Sequence, residues 1–309
     1  MTLTEALRLH YPYEDSDRVE WWQRIVNLCQ GYINSGNCDG NAEQRLCSAD
    51  DTVYWQQFSE VLLADQLNKV GITPVHPQHG PDFLIEHTGR RIWIEVITPT
   101  AEVLPAKWLD ANYKGVRGLP HKEMLLRWTS AIKEKAEKLL GDPRSNKKGY
   151  LEKGIVGPND GYVIAINGYL LRSPGWPQLL GISQFPFAVE ATFCVGPFQI
   201  HIDRETLKTV GSGHQYRPSI PKPNGAQVPA GTFLDPHFAR ISGIWAVDVS
   251  ENLVLDSAQP MAVVYNPLAI NPIEPGLLPA QSDYVAIDQG AEYLLERRDG
   301  RLGEAAPKS

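Results

Sequence analysis

The stretch DFLIEHTGRRIWIEVITP, residues 82–99, constrains the chain more than any other part of it. Two runs rich in apolar and β-branched residues, 82–86 and 91–97, flank His87-Thr88-Gly89-Arg90, so the segment predicts a β-hairpin that Pro99 ends. Successive strand residues face opposite ways, which sorts Ile92, Ile94 and Val96 from Arg91, Trp93, Glu95 and Ile97. Glu95 then lies among apolar neighbours in a strand that reads as central. A carboxylate there is costly unless it is paired or binds a cation.

Asp82 opens the preceding strand, and a tight hairpin can bring both carboxyl groups to one end of a sheet. Two carboxylates sharing a site repel, and a hard divalent cation such as Mg²⁺ or Mn²⁺ resolves the conflict. A cation held this way suits phosphodiester hydrolysis, because it binds a phosphate oxygen and lowers the pKa of an attacking water. The plainer alternative is an Asp at a strand start beside a salt-bridged Glu.

The flanking sequence predicts an α/β frame: a mixed central β-sheet flanked by helices, with further strands from the C-terminal half. Residues 1–50 read as a helical extension, with an amphipathic pattern from Val19 to Ile33. A helix over 52–70, capped by Asp51 or Thr52 and closed by Gly71, is apolar nearly all round and so predicts burial against a sheet. A strong helix follows at about 121–140, and a buried strand at 161–168. FAVEATFCV and FQIHID read as strands, residues 211–236 as a long surface loop, and 241–250 and 261–267 as strands that extend the sheet. The expected organisation is one domain over 51–298 and a flexible tail over 299–309.

The 309 residues, 42% of them hydrophobic, suffice for one large domain. No window approaches the roughly 20 apolar residues of a membrane span. An acidic N-terminal stretch without an apolar core predicts a cytoplasmic protein, and four cysteines without a CxxC pair predict reduced thiols. The nine-residue spacing of Cys29, Cys38 and Cys47, with His10, is too wide for the usual zinc knuckle. A net charge of −7 argues against a broad duplex-coating face, although lysine and arginine concentrate between Lys107 and Lys153.

GPDF, a hairpin and WIEV, preceded by a buried helix carrying Glu60 in QFSEVLLADQL, resemble the PD-(D/E)XK nuclease superfamily over roughly residues 53–140. The turn from IEVITPT into LRWTSAIKEK is similar to a bacterial subgroup of it. The resemblance implies a restriction-endonuclease-like core, magnesium-dependent cleavage of nucleic acid (DNA ahead of RNA), and metal ligands at Asp82, Glu95 and Glu60. It leaves room for a homodimer, for which the sequence presents no exposed apolar helix.

The superfamily's lysine, two residues after the second acid, is here Ile97. At about 100° per residue, Lys135 falls inside the apolar arc of Leu125, Trp128, Ile132, Ala136 and Leu139, whereas Lys133, Glu134, Glu137 and Lys138 fall outside it. Lys135 is therefore the candidate for a migrated lysine, against a side chain that snorkels from the stripe's edge. Arg127 and Thr129 are weaker candidates for phosphate contact. His76 and His79 lie just before Asp82 and read as loop histidines, and Trp55, Trp93 and Trp128 as core rather than base-stacking groups. Two rivals stand beside the nuclease: the same scaffold without cleavage, as a binding module, and a metal-dependent phosphohydrolase for small phosphate esters.

Overall fold

The N-terminal part of the chain is helical, in α1 (Leu3–His10), α2 (Ser16–Asn34), α3 (Ala42–Leu46) and α4 (Asp51–Lys69). The computed structural model describes residues 2–11, 16–174, 176, 179–255, 259–290 and 292–301. Asp50, one position earlier than the sequence predicts, caps α4: its carboxylate accepts the Thr52 and Val53 amides at 2.8 and 3.3 Å.

The hairpin forms as β1 (Phe83–His87) and β2 (Arg90–Ile97), followed by α5 (Ala106–Leu109), α6 (His121–Leu140), β3 (Gly161–Ile166) and α7 (Phe187–Phe193). The C-terminal half adds β4 (Val195–Ile202), β5 (Thr209–Tyr216), β6 (Ser219–Pro221), β7 (Gln227–Pro229), β8 (Gly243–Ala246), β9 (Ala262–Tyr265), β10 (Ser282–Asp288) and β11 (Tyr293–Asp299).

Seven strands make one mixed sheet in the order β1-β2-β3-β8-β9-β10-β11. β2, β3 and β8 run parallel, β9 and β10 run parallel, and the remaining neighbours are antiparallel. Each face buries its own apolar layer. Ile92, Ile94 and Val96 pack with Phe58 and Leu62 of α4, and with Leu7, Ile25 and Leu46 of the earlier helices. Trp93, Ile97, Tyr162 and Ile164 pack on the other face with Trp128 and Ile132 of α6 and Val189 of α7. The chain is thus an α/β protein whose mixed sheet lies between two helical layers.

Three sequence expectations are corrected. FAVEATF is the helix α7, not a strand. All seven of its residues are buried, and Pro186 precedes them at the N-cap. A short all-apolar run carries no period that separates strand from helix, and here tertiary contacts decide. Glu190 bonds His121 of α6 and accepts the Ser183 amide at 2.7 Å. Residues 211–236 are not a bare loop, since they hold most of β5 and the β6–β7 hairpin. β10 and β11 have no counterpart in the sequence prediction; β11, at the sheet edge, reads YLLERRD and lacks a buried alternation. Residues 302–309 of the expected tail lie outside the described residues.

Candidate active site

The hairpin turn places Thr88 and Gly89 at φ 50° and 76°, the twist that a two-residue connection needs to continue into both strands. Phe83 pairs with Ile94 at the end of the ladder, so Asp82, one residue beyond β1, lies beside the Glu95 end of β2. Asp82 Oδ2 accepts the Val96 amide at 2.6 Å, which ties its carboxylate to β2 beside Glu95. Gly80, at φ +125°, leads into this pair. A Cβ there would lie 2.8 Å from the Ile155 side chain, so the close approach requires glycine.

Glu95 is 1% exposed and faces α6 together with Trp93 and Ile97. Lys135, itself buried on α6, sets its Nζ 3.0 Å from Glu95 Oε1. Lys138, one helical turn on, donates to the same oxygen at 2.6 Å. The Tyr150 hydroxyl donates to Glu95 Oε2 at 3.4 Å and lies as far from the Gly80 carbonyl. Tyr162 of β3 fixes the helix over the strand, donating to the Lys135 carbonyl at 3.2 Å. Lys135 therefore reaches the acidic hairpin, as its place in the apolar arc implies.

The sequence does not single out Lys138 or Tyr150, which the structure adds to the site. Lys138 falls outside the apolar arc, and the signal that finds it is the i,i+3 spacing from Lys135, which stacks both side chains on one helix face. Its half-exposed stem bends inward to Glu95. Tyr150 carries no spacing signal, because it follows α6 in an irregular loop.

Burial raises the Asp82 carboxyl to about 6, aided by the Glu95 charge and opposed by the Val96 amide and the two lysines. Burial would lower the Lys138 ammonium, but the charge and hydrogen bond of Glu95 outweigh it and hold the group above its usual range. Tyr150 is pushed up to about 12 by burial and by Glu95, so it remains a hydrogen-bond donor at neutral pH.

Glu60 enters from the other helical layer. It accepts from Gln57 of its own helix at 2.9 Å, and burial, then the Asp82 charge, raise its carboxyl well above the usual range. Among the described residues, no three His, Cys, Asp or Glu side chains converge as a metal cluster. The structure thus brings Asp82, Glu95 and Lys135 together, with Glu60 behind Asp82.

The remaining candidates lie elsewhere. Arg127 donates to Thr100 Oγ1 at 2.9 Å, and Thr129 bonds the Leu126 carbonyl and lines a separate apolar groove. His76 meets the Asp82 backbone carbonyl rather than its carboxylate. Trp55, Trp93 and Trp128 are core, with Trp93 Nε1 donating to Asp160 at 2.8 Å. The four cysteines are free, and His10 stacks on Tyr54.

Outside Glu95 lies a groove of about 450 Å³ lined by Tyr150, Lys138, Lys147, Lys148 and Lys153, interspersed with three carboxylates. Lys138 and Tyr150 both line the groove and bond Glu95, so these two side chains connect the basic stretch of the sequence to the buried carboxylate. No helix among the described residues is long and apolar enough to cross a membrane. No protein family, curated protein or solved structure matches the chain.

Proposed function

We propose that the chain is a metal-dependent nuclease with a restriction-endonuclease-like core made of α4, the β1–β2 hairpin and α6. The observation that carries this reading is that Asp82, tied to β2 through the Val96 amide, lies near enough to Glu95 to feel its charge, while Lys135 arrives from a different element 3.0 Å from Glu95. Two carboxylates are the usual protein share of a magnesium site whose other ligands are water and substrate phosphate, so hard oxygen donors in this number fit Mg²⁺ or Mn²⁺. Asp82 and Glu95 would hold the ion, with Glu60 as the next carboxylate behind Asp82. When bound, the ion activates water and stabilises charge on the phosphate.

The chain's own groups supply the rest. Lys135 is pinned in the protein interior, where an ammonium offsets phosphate charge more strongly than it does in bulk water. Lys138 spans from Glu95 to the groove and gives a phosphate on the groove side a second cation. Lys147, Lys148 and Lys153 steer a polyanion toward the acidic pair despite the chain's net charge of −7. Nucleic acid, with DNA ahead of RNA, is the substrate this arrangement suits.

The test is incubation of the purified protein with labelled duplex DNA, single-stranded DNA and RNA, in Mg²⁺, Mn²⁺ or EDTA, with Glu95→Gln and Lys135→Ala alongside. Metal-dependent cleavage that disappears in Glu95→Gln is expected. A second reading, the same scaffold as a binding module, draws on the two ammonium groups that already neutralise Glu95. It predicts polymer binding without cleavage, unchanged by Glu95→Gln.

A further inference from the structure

β4 and β5 form a two-stranded ribbon separate from the main sheet. Phe198, Ile200 and Ile202 alternate along β4, with His214 opposite Phe198 and Ser212 opposite Ile200. Register shifts interrupt the ladder between Val195 and Phe198 and between His201 and Ile202, and Tyr216, two residues beyond His214 on β5, shares its side. Phe198, Ile200, Ile202 and Tyr216 are 56, 61, 58 and 69% exposed. The other face carries Gln199, His201, Gly211 and Gly213. The ribbon is therefore amphipathic, and its apolar side is open to solvent. Its root is covered, where His214 packs on Phe185, with ring centroids 5.0 Å apart.

A two-stranded ribbon is marginal alone, and a contiguous apolar patch of this kind marks a contact surface. Three occupants fit poorly. Residues 302–309, LGEAAPKS, bring one leucine and cannot cover four large side chains. A nucleic acid or an anionic membrane calls for clustered cations. Between residues 195 and 217 the ribbon carries Arg204, Lys208 and Arg217 against Asp203 and Glu205, a nearly neutral balance.

We propose that the ribbon is a dimerisation arm, its apolar face seated against the same face of a second copy. A two-fold contact of this kind is self-complementary, and a nearly neutral arm brings no large like charge together. Four side chains at roughly 100–150 Å² each remove about 1,000 Å² from water over both copies, the lower bound of a specific interface. The proposal is independent of the nuclease reading.

The test is light scattering on size-exclusion fractions of the full chain from about 1 to 100 µM, with circular dichroism of each variant. A dimer is expected for the wild type, a folded monomer for the Ile200→Asp, Ile202→Asp double variant, and an unchanged dimer for the polar-face variant Gln199→Asp. A wild-type monomer throughout the range overturns the proposal, including one that binds vesicles or DNA through Ile200. So does a dimer that survives the double variant, or one that Gln199→Asp dissociates equally.

Discussion

Lys135 Nζ stands 3.0 Å from Glu95 Oε1, joining residues 40 positions apart across the interface of α6 and β2. Neither charge has comparable solvent access to fall back on, since both side chains are almost fully buried. Lys135→Met is therefore expected to cost about 2–3 kcal/mol of stability, below the ~3–5 kcal/mol of a fully broken buried pair because Lys138 remains on Glu95. Lys138→Met, at a half-exposed position, costs less than about 1 kcal/mol. Urea unfolding of both variants checks the order, and an equal loss would remove the distinction between them.

Catalysis should respond differently from stability. On the proposed nuclease reading, Glu95→Gln is expected to lower metal-dependent cleavage by about 10³-fold or more while leaving secondary structure intact. Residual cleavage near the wild-type rate would show that Glu95 is not a ligand.

Ile97 stands two residues after Glu95, where the proposed nuclease reading would expect a lysine, and its side chain lies in the apolar layer under α6. Ile97→Lys places a third ammonium beside two that already serve Glu95. The expected result is a loss of about 2 kcal/mol or more with no gain in cleavage. A tenfold gain would mean that Lys135 does not fill the lysine role.

Asp82 titrates near 6 when folded, against 3.8 as the ordinary value. The folded chain thus holds a proton that the unfolded chain releases between pH 4 and 6, so this group lowers stability as pH rises through that window and keeps it lowered above. In EDTA, Asp82→Asn should be more stable than the wild type at pH 7, by about 1–2 kcal/mol after discounting for partial exposure, and no different below pH 4. The opposite ordering at pH 7 would falsify burial as the cause.

Lys147 and Lys148 line the groove without touching Glu95. Their joint replacement by alanine should weaken binding of a nucleic acid and reduce its salt slope by about 2, with the cleavage rate at saturation retained. An unchanged slope would place the polymer outside the groove.

The hairpin and its carboxylate were legible because a strand's two-residue period and a buried acid are both local facts of sequence. α6 was legible to its ends, and so was Lys135, since one charged residue breaks an otherwise sorted apolar stripe. Lys138 was not, because a long stem can bend from a solvent-facing position into a buried charge. α7 was misread where seven buried residues leave no polar face to count from. β5 and β11 escaped for the reverse reason: both lie largely exposed, so no buried face imposes alternation, and their identity comes from backbone ladders to partners.

Glu95 divides its neighbours unequally between its two oxygens. Both ammonium nitrogens sit on Oε1, while among the described residues Oε2 meets the Tyr150 phenol alone, at 3.4 Å and from the groove side. Giving up a long, neutral hydrogen bond costs far less than giving up a charge-assisted one. The carboxylate is thus vectorial: one oxygen is committed to the helix that holds it in place, and the other keeps a partner that a visitor from the groove can displace cheaply.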